Sequence, residues 1–181
     1  MLEDTLLIWK LKSGDGVALT RVYEKYKNDL LRIASGLLNH ASAAEDIVHD
    51  VFVSLAQSPQ KLRLSGNLKA YLATCVANRV RNSNRAGQRH ETVALDETSP
   101  VTSDSQRPDR WIVQNEELQR LNNAMAQLPY TQREVVILHV QGGMKFRAIA
   151  KSQNVSINTV QSRYRYGLDK LRSLLNSEVE K

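Results

Sequence analysis

Apolar side chains recur at intervals of three and four residues along most of this chain, and that periodicity restricts it to helices. Between Asp15 and Leu38, residues Val17, Leu19, Val22, Tyr23, Tyr26, Leu30, Ile33 and Leu37 form one stripe. Ser42-Ala43-Ala44-Glu45 then reads as a capping box, with Ser42 accepting from a first-turn amide and Glu45 reaching back. Asp46 adds negative charge at the positive end of the helix dipole. That helix runs to about Gln57, ahead of Pro59, with Ile47, Val48, Val51, Phe52 and Leu55 inward. A third helix, from Asn67 to about Arg85, buries Leu68, Tyr71, Leu72, Cys75 and Val76. From Glu116, Leu118, Leu121, Met125 and Leu128 mark another helix, which stops at Pro129. A second capping box, Thr131-Gln132-Arg133-Glu134, opens a helix carrying Val135, Ile137 and Leu138, and Gly142-Gly143 ends it. No strand-like alternation of useful length appears, and no internal repeat. The expected fold class is all-α.

Charge divides the chain in three. Residues 1–90 hold 13 Lys/Arg against 8 Asp/Glu, residues 91–118 hold 2 against 7, and residues 119–181 hold 10 against 4. Two basic blocks thus flank an acidic strip rich in Ser, Thr, Asp and Pro, which reads as a linker rather than a packed core. The expected organisation is a first helical domain over 1–88, a flexible acidic linker over 89–112 and a second helical domain over 113–181. A net charge of +6 favours a polyanionic partner. No stretch approaches a membrane span, and Met1 to Lys12 does not read as a secretory signal, so a cytoplasmic protein without membrane insertion is expected. The single Cys75 excludes an internal disulfide and suits a reducing compartment.

The stretch from Phe146 to Leu171 has the spacing of a helix-turn-helix. Ile149 and Ala150 sit on its first helix, with Ala150 small enough for close approach of the second. Asn154 takes the turn position where positive φ is needed. Val155, Ile157 and Val160 supply apolar contacts, and Ser156 is a natural N-cap. Along the second helix, Val160, Tyr164, Leu168, Leu171 and Leu175 line the inward side. Asn158, Thr159, Gln161, Ser162, Arg165 and Tyr166 are left outside, hydrogen-bonding types near the N-terminal half that meets base edges in a recognition helix. An ordinary hairpin with a solvated basic face is the plainer reading, but cap, turn, small residue and charge agree on DNA. The motif alone does not choose between repressor, activator and polymerase subunit.

Upstream, Val51 to His90 contains no Asp or Glu but seven Lys/Arg. Asn78, Arg81, Asn82 and Arg85 share one helix face there. Taken alone, this patch reads as nonspecific phosphate binding. The combination of Ala-Glu-Asp opening a helix, Ala-Asn-Arg about 30 residues on, then Leu-Pro, Arg-Glu-Val and Thr-Val-x-Ser-Arg resembles the extracytoplasmic-function (ECF) group of bacterial sigma factors. The resemblance spans both domains. It implies that the first is sigma domain 2, which binds the β′ clamp helices of core RNA polymerase and melts the −10 element. The second is then sigma domain 4, which binds the β-flap and reads the −35 element of promoter DNA.

By position, Asp46, His49, Asp50 and Phe52 fall in the clamp-binding helix. Asn78 falls where the family captures a flipped −10 base, with Asn82 a turn on and Arg79, Arg81 and Arg85 holding the strand. Lys69 and Tyr71 complete the expected −10 surface. Ser156, Asn158, Thr159, Gln161, Ser162, Arg163, Arg165 and Tyr166 make the expected −35 surface. The family often has Trp at Tyr71, Gln at His49 and Gly at Asn154. It also implies an anti-sigma factor as a further partner. No cofactor, metal site or catalytic residue is expected. His49 and Asp50 are neighbours pointing about 100° apart on a helix, and the other histidines lack metal spacing. Cys75 reads as a core thiol. The rival functions are a stand-alone dimeric helix-turn-helix regulator and an all-α RNA-binding or scaffold protein.

Overall fold

A computed structural model describes residues 2–38, 42–59, 67–93 and 116–177. Among them are eight helices and no strand: α1 Leu2–Lys12, α2 Gly16–Leu37, α3 Ser42–Gln57, α4 Leu68–Val93, α5 Glu116–Ala126, α6 Tyr130–Val140, α7 Phe146–Gln153 and α8 Ile157–Ser177. None is long and apolar enough to cross a membrane. The all-α expectation holds.

Helices α1 to α4 form the first domain. Asp15 caps α2 by accepting from the amides of Val17 and Ala18. The α2 stripe, Val22, Tyr26, Leu30, Ile33 and Leu37, is buried against Val48, Val51 and Leu55 of α3 and Leu68, Leu72, Val76 and Val80 of α4. The Asn67 side chain caps α4 through the Lys69 amide, at 2.8 Å. Helix α4 runs to Val93, eight residues past its expected end and into the stretch expected as linker. The rest of that stretch, and the side chain of Ser42 with its capping role, lie outside the described residues.

Helix α1 is not foreseen by the stripe argument. Leu7 and Leu11 are buried, while Leu6 and Trp9 are exposed. Its polar anchor is a clasp in which the Lys25 ammonium lies 2.8 Å from both Glu3 and Asp4, and the Tyr26 hydroxyl donates to Asp4 at 2.9 Å.

Helices α5 to α8 form the second domain. Ala124 and Leu128 of α5 meet Val136 of α6 and Leu171 of α8. Leu118 and Leu121, whose spacing marked the helix, are exposed, because α5 packs through its C-terminal end. Gly167 lets α8 approach α6 closely: a Cβ there would sit 3.1 Å from Val136 Cγ2. His139, Phe146 and Tyr164 cluster with ring centroids 4.3 to 5.1 Å apart. The second capping box does not form. Helix α6 starts at Tyr130 without a side-chain cap, and Glu134 is buried rather than folded back on the helix start.

The two domains share one core. Val135, Ile137, Leu138, Met144, Ile149, Ala150 and Val160 join the same cluster as the α2 to α4 side chains. At this seam Gly36 of α2 faces Ile137 of α6. The Arg133 guanidinium reaches the Leu37 carbonyl at the C-terminal end of α2, where a cation complements the helix dipole.

Candidate nucleic-acid interface

The turn between α7 and α8 is built as its residue types dictate. Asn154 adopts φ 55° and ψ 45°, the left-handed conformation that Asn tolerates through its short polar side chain. The Ser156 hydroxyl accepts from the Thr159 amide at 3.0 Å and pairs with the Thr159 hydroxyl at 2.9 Å, capping α8. Val160 is fully buried, but Ile157 is 42% exposed and contributes little to the hairpin angle.

Asn158, Gln161, Ser162 and Arg165 line one shallow concavity on α8, and all four were expected in the −35 surface. The Arg165 guanidinium lies 5.1 Å over the Tyr166 ring, which is 54% exposed. Stacking of this kind holds the guanidinium in place for a bidentate contact. Arg163 departs from the expectation. Its guanidinium donates to Gln153 Oε1 at 3.0 Å, and Gln153 in turn donates to Glu134 Oε2 at 3.0 Å. It supports the domain interior instead of facing outward with Arg165.

A second concavity, on α4, is lined by Asn78, Arg81, Asn82 and Arg85. The i, i+3, i+4, i+7 face thus forms as a unit, with Asn78, Asn82 and Arg85 exposed. Arg81 Nη2 donates to Asn78 Oδ1, which fixes the amide and leaves its NH₂ group to meet an acceptor. Three residues expected with this group lie elsewhere. Arg79 donates to Asp50 Oδ2 at 3.1 Å and to the Asp50 carbonyl at 2.9 Å. Lys69 is held 2.6 Å from Asp29 of α2. Tyr71 is half-buried beside Cys75; burial raises its hydroxyl to about 12. Burial also pushes the Cys75 thiol up, keeping it protonated and a poor nucleophile.

Asp46, His49 and Asp50 are exposed on the outer side of α3. Phe52 is not: it is 6% exposed and packs edge-on against Tyr23 at 4.9 Å. Its position on the helix turns it to α2, so it supports the acidic surface from beneath.

Sequence reasoning missed Glu134 altogether as a junction. It is 3% exposed, and Oε1 lies 3.1 Å from Arg81 Nε across the seam. Burial raises its carboxyl from the ordinary value, while Arg81, Arg163 and the Gln153 amide pull it back. Among the described residues no group of three or more His, Cys, Asp or Glu could hold a metal.

Two family models match: Sigma-70 region 2 over residues 22–90, and Sigma-70 region 4 over residues 118–171. Each covers one of the two domains. The ECF RNA polymerase sigma factor RpoE of Cereibacter sphaeroides is 31% identical, over 73% of this chain and 72% of its own. The RNA polymerase sigma factor NccH of Alcaligenes xylosoxydans is 25% identical, over 96% and 95%. Among solved structures, the sigma factor RpoE of Bartonella quintana, in complex with the anti-sigma factor NepR, superposes with a TM-score of 0.70 at 23% identity. That match covers 87% of this chain and 96% of that one. CnrH, in complex with the cytosolic domain of CnrY, gives 0.68 at 19% identity, covering 97% and 98%.

Proposed function

The chain belongs to the ECF group of RNA polymerase sigma factors and directs transcription initiation, and from that premise we propose how its surfaces divide the work. The α4 concavity captures the −10 element. Asn78 takes an unstacked non-template base, with Asn82 beside it, while Arg81 and Arg85 grip the backbone. Base extrusion costs a few kcal/mol in lost stacking, which hydrogen bonding and packing in the concavity must recover. Arg79 joins the grip once it releases Asp50. The α8 concavity, with Asn158, Gln161, Ser162 and Arg165, reads the −35 element in the major groove. Asp46, His49 and Asp50 present the acidic surface that meets the β′ clamp helices, and the second domain meets the β-flap. The work is recruitment and strand capture in the cytoplasm, with no chemistry of its own.

The observation that carries this reading is the grouping of Asn78, Arg81, Asn82 and Arg85 around one concavity. It lies on a helix that has no acidic residue between its start and His90. An amide with donor and acceptor together, ringed by guanidiniums, suits capture of a base and its phosphates. Because the similar RpoE structure holds a sigma factor bound to an anti-sigma factor, an anti-sigma partner is proposed here too. Asn78→Ala is the test. In holoenzyme it should permit closed-complex formation but impair opening, read by permanganate reactivity of unpaired thymines; normal opening would remove Asn78 from the site.

A further inference from the structure

Helix α1 is apolar on two faces. Leu7 and Leu11, one turn apart, are buried in the core of the first domain, while Leu6 and Trp9 stand 53% and 68% exposed. Trp9 is the most exposed aromatic side chain among the described residues. A helix that is apolar all round is ordinarily covered on all sides, and exposed tryptophans are the side chains that dominate interfaces. No binding surface assigned above uses α1, and the matched Sigma-70 region 2 begins at residue 22, beyond its end.

The order of side chains on that outer face specifies what can cover it. Glu3, Leu6, Trp9 and Lys12 follow one another at intervals of three, and all four are exposed. They make one inclined row with an acid at its start, apolar side chains in its middle and a base at its end. Such a row is complementary to its own reverse. Turned over by a two-fold axis at its midpoint, it sets Leu6 against Trp9 of a second copy and Glu3 toward Lys12 of that copy, each contact being made twice. We propose that α1 is a self-association surface, occupied by a second copy of this chain docked through the reversed row. Docking in the same sense would instead bring Glu3 to Glu3 and Lys12 to Lys12. Rows spaced at three meet where two helices cross steeply, so the contact centres on Leu6 and Trp9, with the charges at its rim.

This pairing spares what holds α1 in place. Leu7 and Leu11 stay in the core. Asp4 is the inner carboxylate of the clasp, its side chain 23% exposed, whereas Glu3, between Lys25 and Arg21, keeps its side chain 46% exposed. The apolar pair supplies the affinity. The rim charges set the sense of docking, because exposed ion pairs fix register more than they add affinity. A helix of 11 residues is about 16 Å long, too short to bury the ~1,200 Å² of a stable interface. The association is therefore weak and reversible, with monomer at low concentration and dimer at high.

Sedimentation velocity of the full chain, freed of nucleic acid, is the test. Wild type should pass from monomer to dimer between about 1 µM and several hundred µM. Trp9→Ser should weaken association about tenfold or more, as loss of an aromatic anchor does. Lys12→Glu, which leaves the apolar pair in place and sets a carboxylate near Glu3 of the second copy, should weaken it about threefold. In a Trp111→Phe background Trp9 is the remaining tryptophan, and its emission should shift to the blue over the same concentrations. Unchanged helical circular dichroism checks that each variant is folded. A chain monomeric throughout would overturn the proposal, as would a dimer that Trp9→Ser leaves intact. A dimer insensitive to Lys12→Glu would overturn the reversed row. Loss of core-polymerase affinity in Trp9→Ser, with no dimer in wild type, would give the face to polymerase instead.

Discussion

Asp50→Ala offers the sharpest separation of binding from stability. Among the described residues Asp50 makes one ion pair, to Arg79 Nη1 at 3.1 Å, with side chains 58% and 37% exposed. A pair so open to solvent contributes about 0.2–1 kcal/mol. Even that is partly retained, because the second Arg79 bond goes to the Asp50 main-chain carbonyl, which alanine keeps. For a chain of 181 residues, 1 kcal/mol corresponds to about 2–4 °C in melting temperature. Asp50→Ala should accordingly melt within about 4 °C of wild type.

Its affinity for core polymerase should nevertheless fall about tenfold or more, which is ~1.4 kcal/mol. Fluorescence anisotropy of the labelled chain titrated with core reads this directly. Arg79→Ala is the matched control. It deletes the same ion pair from the opposite side and should cost similar stability, yet it frees Asp50 and should leave core affinity unchanged or improve it. An unchanged Asp50→Ala titration would remove Asp50 from the polymerase surface. An equal loss in Arg79→Ala would show that the pair matters to α3 and not the carboxylate to the partner.

Asn154→Val places a β-branched residue at φ 55° and should cost ~1–2 kcal/mol in thermal or denaturant unfolding, whereas Asn154→Gly should be neutral or stabilising. Arg165→Ala should lower transcription from the chain's own promoter without weakening core binding, since Arg165 is exposed on the α8 concavity, away from α3. The α1 clasp should titrate. Hydrogen bonds from Lys25 and Tyr26 hold the Asp4 carboxyl below its ordinary 3.8, so its contribution is whole above that value and lost as pH falls through the depressed one. The stability gap between wild type and Asp4→Asn should thus be present at pH 7 and close toward pH 3, measured by thermal melting; a constant gap would contradict the assignment.

What was legible in the sequence was local. Asn154 in its left-handed turn and the Ser156 cap follow from backbone demands within a few residues, and both stand as expected. The face shared by Asn78, Arg81, Asn82 and Arg85 follows from helical period alone. What failed depended on neighbours distant in sequence. Phe52 is buried, as the stripe of its helix gives it, whereas Ile157, expected to pack inward, is exposed, because burial is decided by which helix lies alongside and periodicity gives only a face. Glu134 matched a capping box perfectly well by spacing. Burial against Arg81 and Gln153, from residues on both sides of the linker, outweighed a capping interaction worth about 1 kcal/mol. Arg163 was drawn inward by the same junction.

That junction bears on why a strand-capturing surface need not capture strands indiscriminately. Of the cations assigned to the −10 strand, Arg79 is held by a carboxylate assigned to polymerase and Arg81 by a carboxylate from the other domain. On the proposed assignment, a clamp contact that takes Asp50 would free Arg79, an event that DNA alone does not bring about, because its phosphates must compete with contacts already made within the chain. Arg85 also lines the concavity, but a phosphate contact adds only one counterion's worth of affinity. Nonspecific binding by the free chain would then be limited by the same guanidiniums that the assembled polymerase puts to use.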